Sequence, residues 1–205
     1  MALGDTYATL PQLKAYMGDV FTDPSRDAAL GDALNSASRE IERYCGRQFN
    51  NAGAVSAREF LALNAGRAFV DDFHTTTGLV VEVEGSDGTW TPWASGDYKL
   101  LPRNGIRDGM PGWPYTEIRA VRGGGKTFPG PYDEAHLRVT ANWGWASVPA
   151  PVKQACLILA AETFQLRDAP LGVAGTNEFG VVRVRDNKIA AAKLVPYRRA
   201  GKKVA

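Results

Sequence analysis

Asp27-Ala28-Ala29-Leu30-Gly31-Asp32-Ala33-Leu34-Asn35-Ser36-Ala37-Ser38-Arg39-Glu40-Ile41-Glu42-Arg43-Tyr44-Cys45-Gly46 is the stretch from which an architecture can be read. Leu30, Leu34, Ala37, Ile41 and Tyr44 recur at spacings of 4, 3, 4 and 3. That is one apolar stripe on a helix of about 20 residues, about 30 Å long. Arg26, Asp32, Ser36, Arg39 and Arg43 fall on the opposite face. Asp23-Pro24 supplies an N-cap followed by a proline suited to the first helical position. Gly46 supplies the stop.

Upstream, Thr9-Leu10-Pro11-Gln12 has the spacing of a capping box. It predicts a short helix with Leu13, Tyr16 and Met17 on one face, ended by Gly18. Downstream the composition changes. Residues 51–145 are rich in Gly, Pro, Thr, Val and aromatics and show no long helical period. Short strands are expected at Arg58–Leu63, Ala68–Val70, Leu79–Val83, Tyr98–Leu101, Ile118–Val121 and Leu137–Thr140. Ser86-Asp87-Gly88-Thr89 reads as a hairpin turn, and Pro102–Pro114 as a longer loop.

Helical period returns after Pro149 and Pro151 with Val152, Cys156, Leu159, Thr163 and Leu166. This stripe is expected to face that of the earlier helix through Leu34, Ile41, Cys156 and Leu159. Residues 171–180 are Gly-rich, Phe179–Arg185 alternates like a strand, and Asn187 can cap a last short helix ended by Pro196. The predicted fold is α+β. Residues 1–50 and 146–205 form a small helical bundle with a basic C-terminal tail, and 51–145 form an inserted β-rich domain.

The net charge of +2 hides an asymmetry. Residues 181–205 hold eight basic residues against Asp186 alone, whereas 1–180 hold 16 basic and 21 acidic residues. A basic tail on a mildly acidic body points to an acidic protein or nucleic-acid partner, or to a tail that is merely solvated. No apolar run reaches membrane-spanning length, and the first residues lack a signal-peptide pattern, so use without secretion is expected. Cys45 and Cys156 lie in helical patterns and read as small buried hydrophobes.

No catalytic pattern stands out. Gly123-Gly124-Gly125-Lys126-Thr127 suggests a P-loop, but Ala120 occupies the first glycine position and Phe128-Pro129 cannot continue a helix. Asp71-Asp72-Phe73-His74 lacks a second cluster to complete a zinc site. Clustered tryptophans at 90, 93, 113, 143 and 145 can serve a sugar-binding face or pack a core. Trp143 and Trp145, two residues apart on one strand, are expected to be buried or exposed together.

Three stretches carry a resemblance. Leu10–Gly18, Leu30–Leu34 and Ile41–Phe49 resemble the opening of head–tail connector proteins of long-tailed bacteriophages. Trp143–Trp145, Val148-Pro149, Val152–Ala155 and Leu159–Glu162 resemble that family's strand-to-helix return, and Leu194–Arg199 its C-terminal signature. The resemblance covers roughly half the chain. It implies a ring adaptor in the virion neck, assembled in the host cytoplasm and twelve-fold to match the portal. It implies docking to the portal and to the next neck or tail-completion protein, and DNA that passes through without specific binding. It implies no catalysis, cofactor, metal or membrane. The expected portal-docking residues are Ile189, Leu194, Tyr197, Arg198, Arg199, Lys202 and Lys203, with Arg39 and Arg43 at the ring interface. The alternative is a nucleic-acid-binding module that uses the basic tail.

Overall fold

The computed structural model describes residues 3–18, 24–130, 136–168 and 187–199. The predicted strand Phe179–Arg185, the Gly-rich 171–180, the Asp23 cap, and Lys202 and Lys203 lie outside the described residues. The described residues form two compact units: Leu3 with Asn50–Ser147, and Gly4–Phe49 with those from Val148 onward.

The first unit is a sheet of seven strands: β1 (Asn51–Phe60), β2 (Arg67–Phe73), β3 (Val80–Glu84), β4 (Trp90–Pro92), β5 (Tyr98–Leu101), β6 (Tyr115–Ala120) and β7 (Leu137–Gly144). Its order is β4-β3-β7-β2-β6-β5, with β1 also on β7. Every pairing is antiparallel. β7 is the hub, meeting β1, β3 and β2. Leu137, Val139, Ala141 and Trp143 alternate inward along it, as the two-residue period of a strand demands. They join Val70, Phe73, Val81 and Ile118 in one apolar core. The turn expected at Ser86–Thr89 closes the β3–β4 hairpin, where Gly85 N–H donates to the Thr89 carbonyl at 2.8 Å.

Among the described residues the second unit holds four α-helices: α1 (Leu10–Met17), α2 (Asp27–Cys45), α3 (Ala150–Asp168) and α4 (Lys188–Leu194). The capping box on α1 is formed in both directions: Thr9 N–H donates to Gln12 Oε1 at 3.0 Å, and Gln12 N–H donates to Thr9 Oγ1 at 3.4 Å. Leu13 is buried on this helix, but Tyr16 is exposed. α2 starts later than Asp23-Pro24 suggests, because Pro24–Arg26 forms a separate 3₁₀ turn. Gly46 ends α2 in the left-handed conformation, its N–H donating to the Glu42 carbonyl at 2.8 Å. α2 packs on α3, and Leu34, Ile41, Cys156 and Leu159 are all buried. Ser38 Oγ sits 3.5 Å from Cys156 Sγ within that seam.

These elements correct the expected fold class. The protein is mainly an antiparallel β half-barrel with a few helices, not a small helical bundle interrupted by an inserted β-rich domain. The helical stripes are long and periodic and stand out in the sequence. The strands are short, and register shifts interrupt β1 and β2, so their common sheet is not visible locally.

Candidate interaction site

The C-terminal segment is built on Asn187. Its side chain accepts from the Ala190 N–H at 2.7 Å, capping α4, and its amide donates to Glu162 of α3. Ala190 and Leu194 are fully buried, so α4 lies against its own unit. Tyr197 is half-buried, edge-on to Phe49 with ring centroids 5.9 Å apart. The Arg198 guanidinium lies 5.1 Å from the centroid of the Tyr44 ring. Arg199 N–H donates to the Cys45 carbonyl at 2.8 Å, which secures the chain beside the end of α2.

The predicted docking residues therefore divide. Leu194 is core, and Tyr197 and Arg199 are held against their own unit. Ile189 is 64 % exposed and Arg198 lies on the surface. Val195, which the sequence reading passed over, is 55 % exposed in the 3₁₀ turn Val195–Tyr197. Of the two expected ring-interface arginines, Arg39 is half-buried. It pairs with Glu42 at 3.0 Å and donates to the Asp5 carbonyl at 3.1 Å. Arg43 is exposed and pairs with Glu40 one turn earlier.

Burial pushes the Cys45 thiol up to about 12, against the opposing charges of Arg47 and Arg198, and burial raises Cys156 as well. Both thiols are free and buried. Tyr7 is fully buried and burial raises its pKa. Its hydroxyl donates to Glu42 at 2.8 Å and accepts from the Phe49 N–H at 3.1 Å, a structural clasp. In the sheet unit, Lys126 of the Gly-rich stretch pairs with Asp97 at 2.7 Å, and the described residues that follow it, Thr127–Gly130, are not helical. Asp72 is buried and accepts from Trp145 Nε1 at 3.0 Å. Asp71 pairs with Arg58 at 2.8 Å. Among the described residues no group of three metal-ligating side chains assembles.

The tryptophans are also occupied. Trp143 packs against Phe60 and Phe73, Trp93 stacks on Phe128 at 4.7 Å, and Trp113 packs on Trp145 at 5.1 Å. The Arg138 guanidinium covers Trp90 at 4.2 Å. This arrangement speaks against an open sugar platform. Trp143 and Trp145 are both buried but in different settings, because Gly144 between them has φ +92° and breaks the strand's alternation.

The loop after β5 is more ordered than the sequence reading suggested. Arg107 and Met110 exchange backbone hydrogen bonds at 3.0 and 2.9 Å around Asp108-Gly109, both with positive φ. That is a two-residue hairpin of the type Asp-Gly favours. Trp113 N–H donates to the Gly105 carbonyl at 2.9 Å and holds its base. Ile106 and Met110 stand exposed on this tongue.

No protein-family model matches the chain, and no curated protein matches it. Solved structures do. A chain in the neck of an empty gene transfer agent particle, computed with C6 symmetry, is similar at 19% identity with a TM-score of 0.57. The alignment covers 96% of this chain and 91% of that one. A chain of the virion of the native gene transfer agent particle is similar at 18% identity with a TM-score of 0.54, covering 100% and 95%. The protein thus shares its fold, over nearly its whole length, with chains of an assembled phage-like particle.

Proposed function

We propose that the protein is a structural, non-enzymatic component of a phage-like particle's neck: a ring-forming adaptor between portal and tail whose bore lets DNA pass. The observation that carries this reading is the end-to-end fold likeness to a chain of a gene transfer agent neck. It is supported by the exposed apolar side chains of the C-terminal segment, Ile189 and Val195, which offer a surface for contact. On this reading 1–50 with 146–205 act as one domain and 51–145 as the other. Copies contact one another, the portal, and the next neck or tail-completion protein.

The C-terminal segment docks to the portal through its exposed part, Ile189, Val195 and Arg198, together with the basic residues Lys202 and Lys203. Exposed apolar side chains on a basic segment fit an acidic, partly apolar recess. Leu194, Tyr197 and Arg199 position that surface. Cutting the chain at 186 would remove the buried Ala190 and Leu194, so the test uses surface changes instead. Ile189→Asp with Val195→Asp should leave a folded protein that no longer joins DNA-filled heads in an assembly reaction. Unimpaired joining would place docking elsewhere. Imaging of the neck should show several copies around the axis, and a single copy would defeat the ring.

A further inference from the structure

Resting on the reading of the chain as a ring of identical copies, we propose that the β5–β6 tongue of one copy inserts into the α2–α3 groove of the next. The groove has a volume of about 340 Å³ and is lined by Ala29, Asp32, Ala33, Ser36, Thr163 and Phe164. Its small residues leave an apolar floor. Asp32 is exposed on its rim and has no ion-pair partner among the described residues. The tongue is the complement. Ile106 is 46 % and Met110 45 % exposed, and Arg103 at its base is an exposed cation with no partner among the described residues.

Arg107 and Met110 face each other across the hairpin, so by strand alternation Ile106 lies on the opposite face from Met110. A tip entering edge-on therefore presents one apolar side chain to α2 and the other to α3, and brings Arg103 towards Asp32. The hairpin is held in shape by Asp108-Gly109 and by Trp113, whose indole packs on Trp145 and carries the Arg107 guanidinium 4.8 Å from its ring centroid. A shaped tongue loses little conformational entropy on insertion. Tongue and groove are different surfaces, so the contact is heterologous, the kind that repeats from copy to copy and closes a ring.

Disulfide trapping tests the contact on the full chain. The double variant Met110→Cys, Ser36→Cys, oxidised at high protein concentration, should run on a non-reducing gel as a ladder of dimers, trimers and larger species. An equal mixture of the two single variants should stop at dimers, because each chain then offers one half of the contact. The wild type, whose own cysteines are buried, should remain monomeric on the gel. Arg103→Glu should abolish the ladder, and Asp32→Arg added to it should restore it. Absence of the ladder, a fast-running monomer with an internal disulfide, or dimers from the Met110→Cys variant alone would each overturn the contact. A neck ring imaged without this bond would sink the tongue and groove alone. A ladder from a protein found outside the neck would sink the adaptor reading alone.

Discussion

Gly144 carries more of the fold than its size suggests. A Cβ built there would lie 1.8 Å from the Asn50 carbonyl oxygen, and its φ of +92° suits glycine only. Gly144→Ala should destabilise the protein by roughly 3 kcal/mol or more, since strain and a backbone clash coincide. Urea unfolding followed by tryptophan fluorescence would measure it, and a midpoint within error of wild type would contradict the geometry.

Glu117 is the second residue whose setting makes a definite forecast. Burial, the largest single influence, opposes its ionisation. Hydrogen bonds and charge from Arg67 at 2.7 Å and Arg119 at 2.5 Å together outweigh burial and hold its pKa below the usual value. A depressed folded pKa means that the carboxylate contributes stability above the unfolded value, about 4.3, and that this is lost as pH falls through the folded value. The stability gap between wild type and Glu117→Gln should therefore be constant above about pH 5 and shrink below about pH 4. A gap that widens on acidification would reverse the assignment.

At the scale of elements, α2 and α4 differ in what sustains them. α2 is a 19-residue helix whose Leu30, Leu34 and Ile41 are buried against its own unit. Ile41→Asp should cost roughly 3–5 kcal/mol by leaving a charge buried and unpaired. α4 has seven residues and depends on its cap and on Ala190 and Leu194. Asn187→Ala and Asn187→Gly both lose the bond to Glu162, and Asn187→Ala should cost roughly 0.5–1 kcal/mol more, because glycine is the better N-cap. Thermal unfolding of both variants would read the contrast, and equal losses would deny the cap its role. The α2 stripe, its Gly46 stop, the α1 capping box and the Asn187 cap were all legible in the sequence, because each is made by residues within one or two turns. The tongue was not read from the Asp108-Gly109 pair, although that pair is its local signal.

In the described part of the tail the Arg198 guanidinium covers the Tyr44 ring. The full chain should bind duplex DNA only weakly at physiological salt, with a shallow dependence on ionic strength. Tight binding with a steep salt slope would favour the nucleic-acid-binding reading over a bore through which DNA slides. A filter-binding titration at two salt concentrations decides between them.

The helices, their ends, most strands, the basic tail and the burial of both cysteines are legible along the chain. These follow from periods and caps that neighbouring residues encode. Tertiary structure decided that the sheet, not the helices, dominates, because Arg58 pairs with Val139 and Val81 with that same residue from far along the chain. It also decided which apolar residues of the C-terminal segment are core and which are surface. Leu194 and Ile189 have equal hydrophobic character in the sequence, and only the packing of α4 on α3 buries the first and leaves the second in solvent.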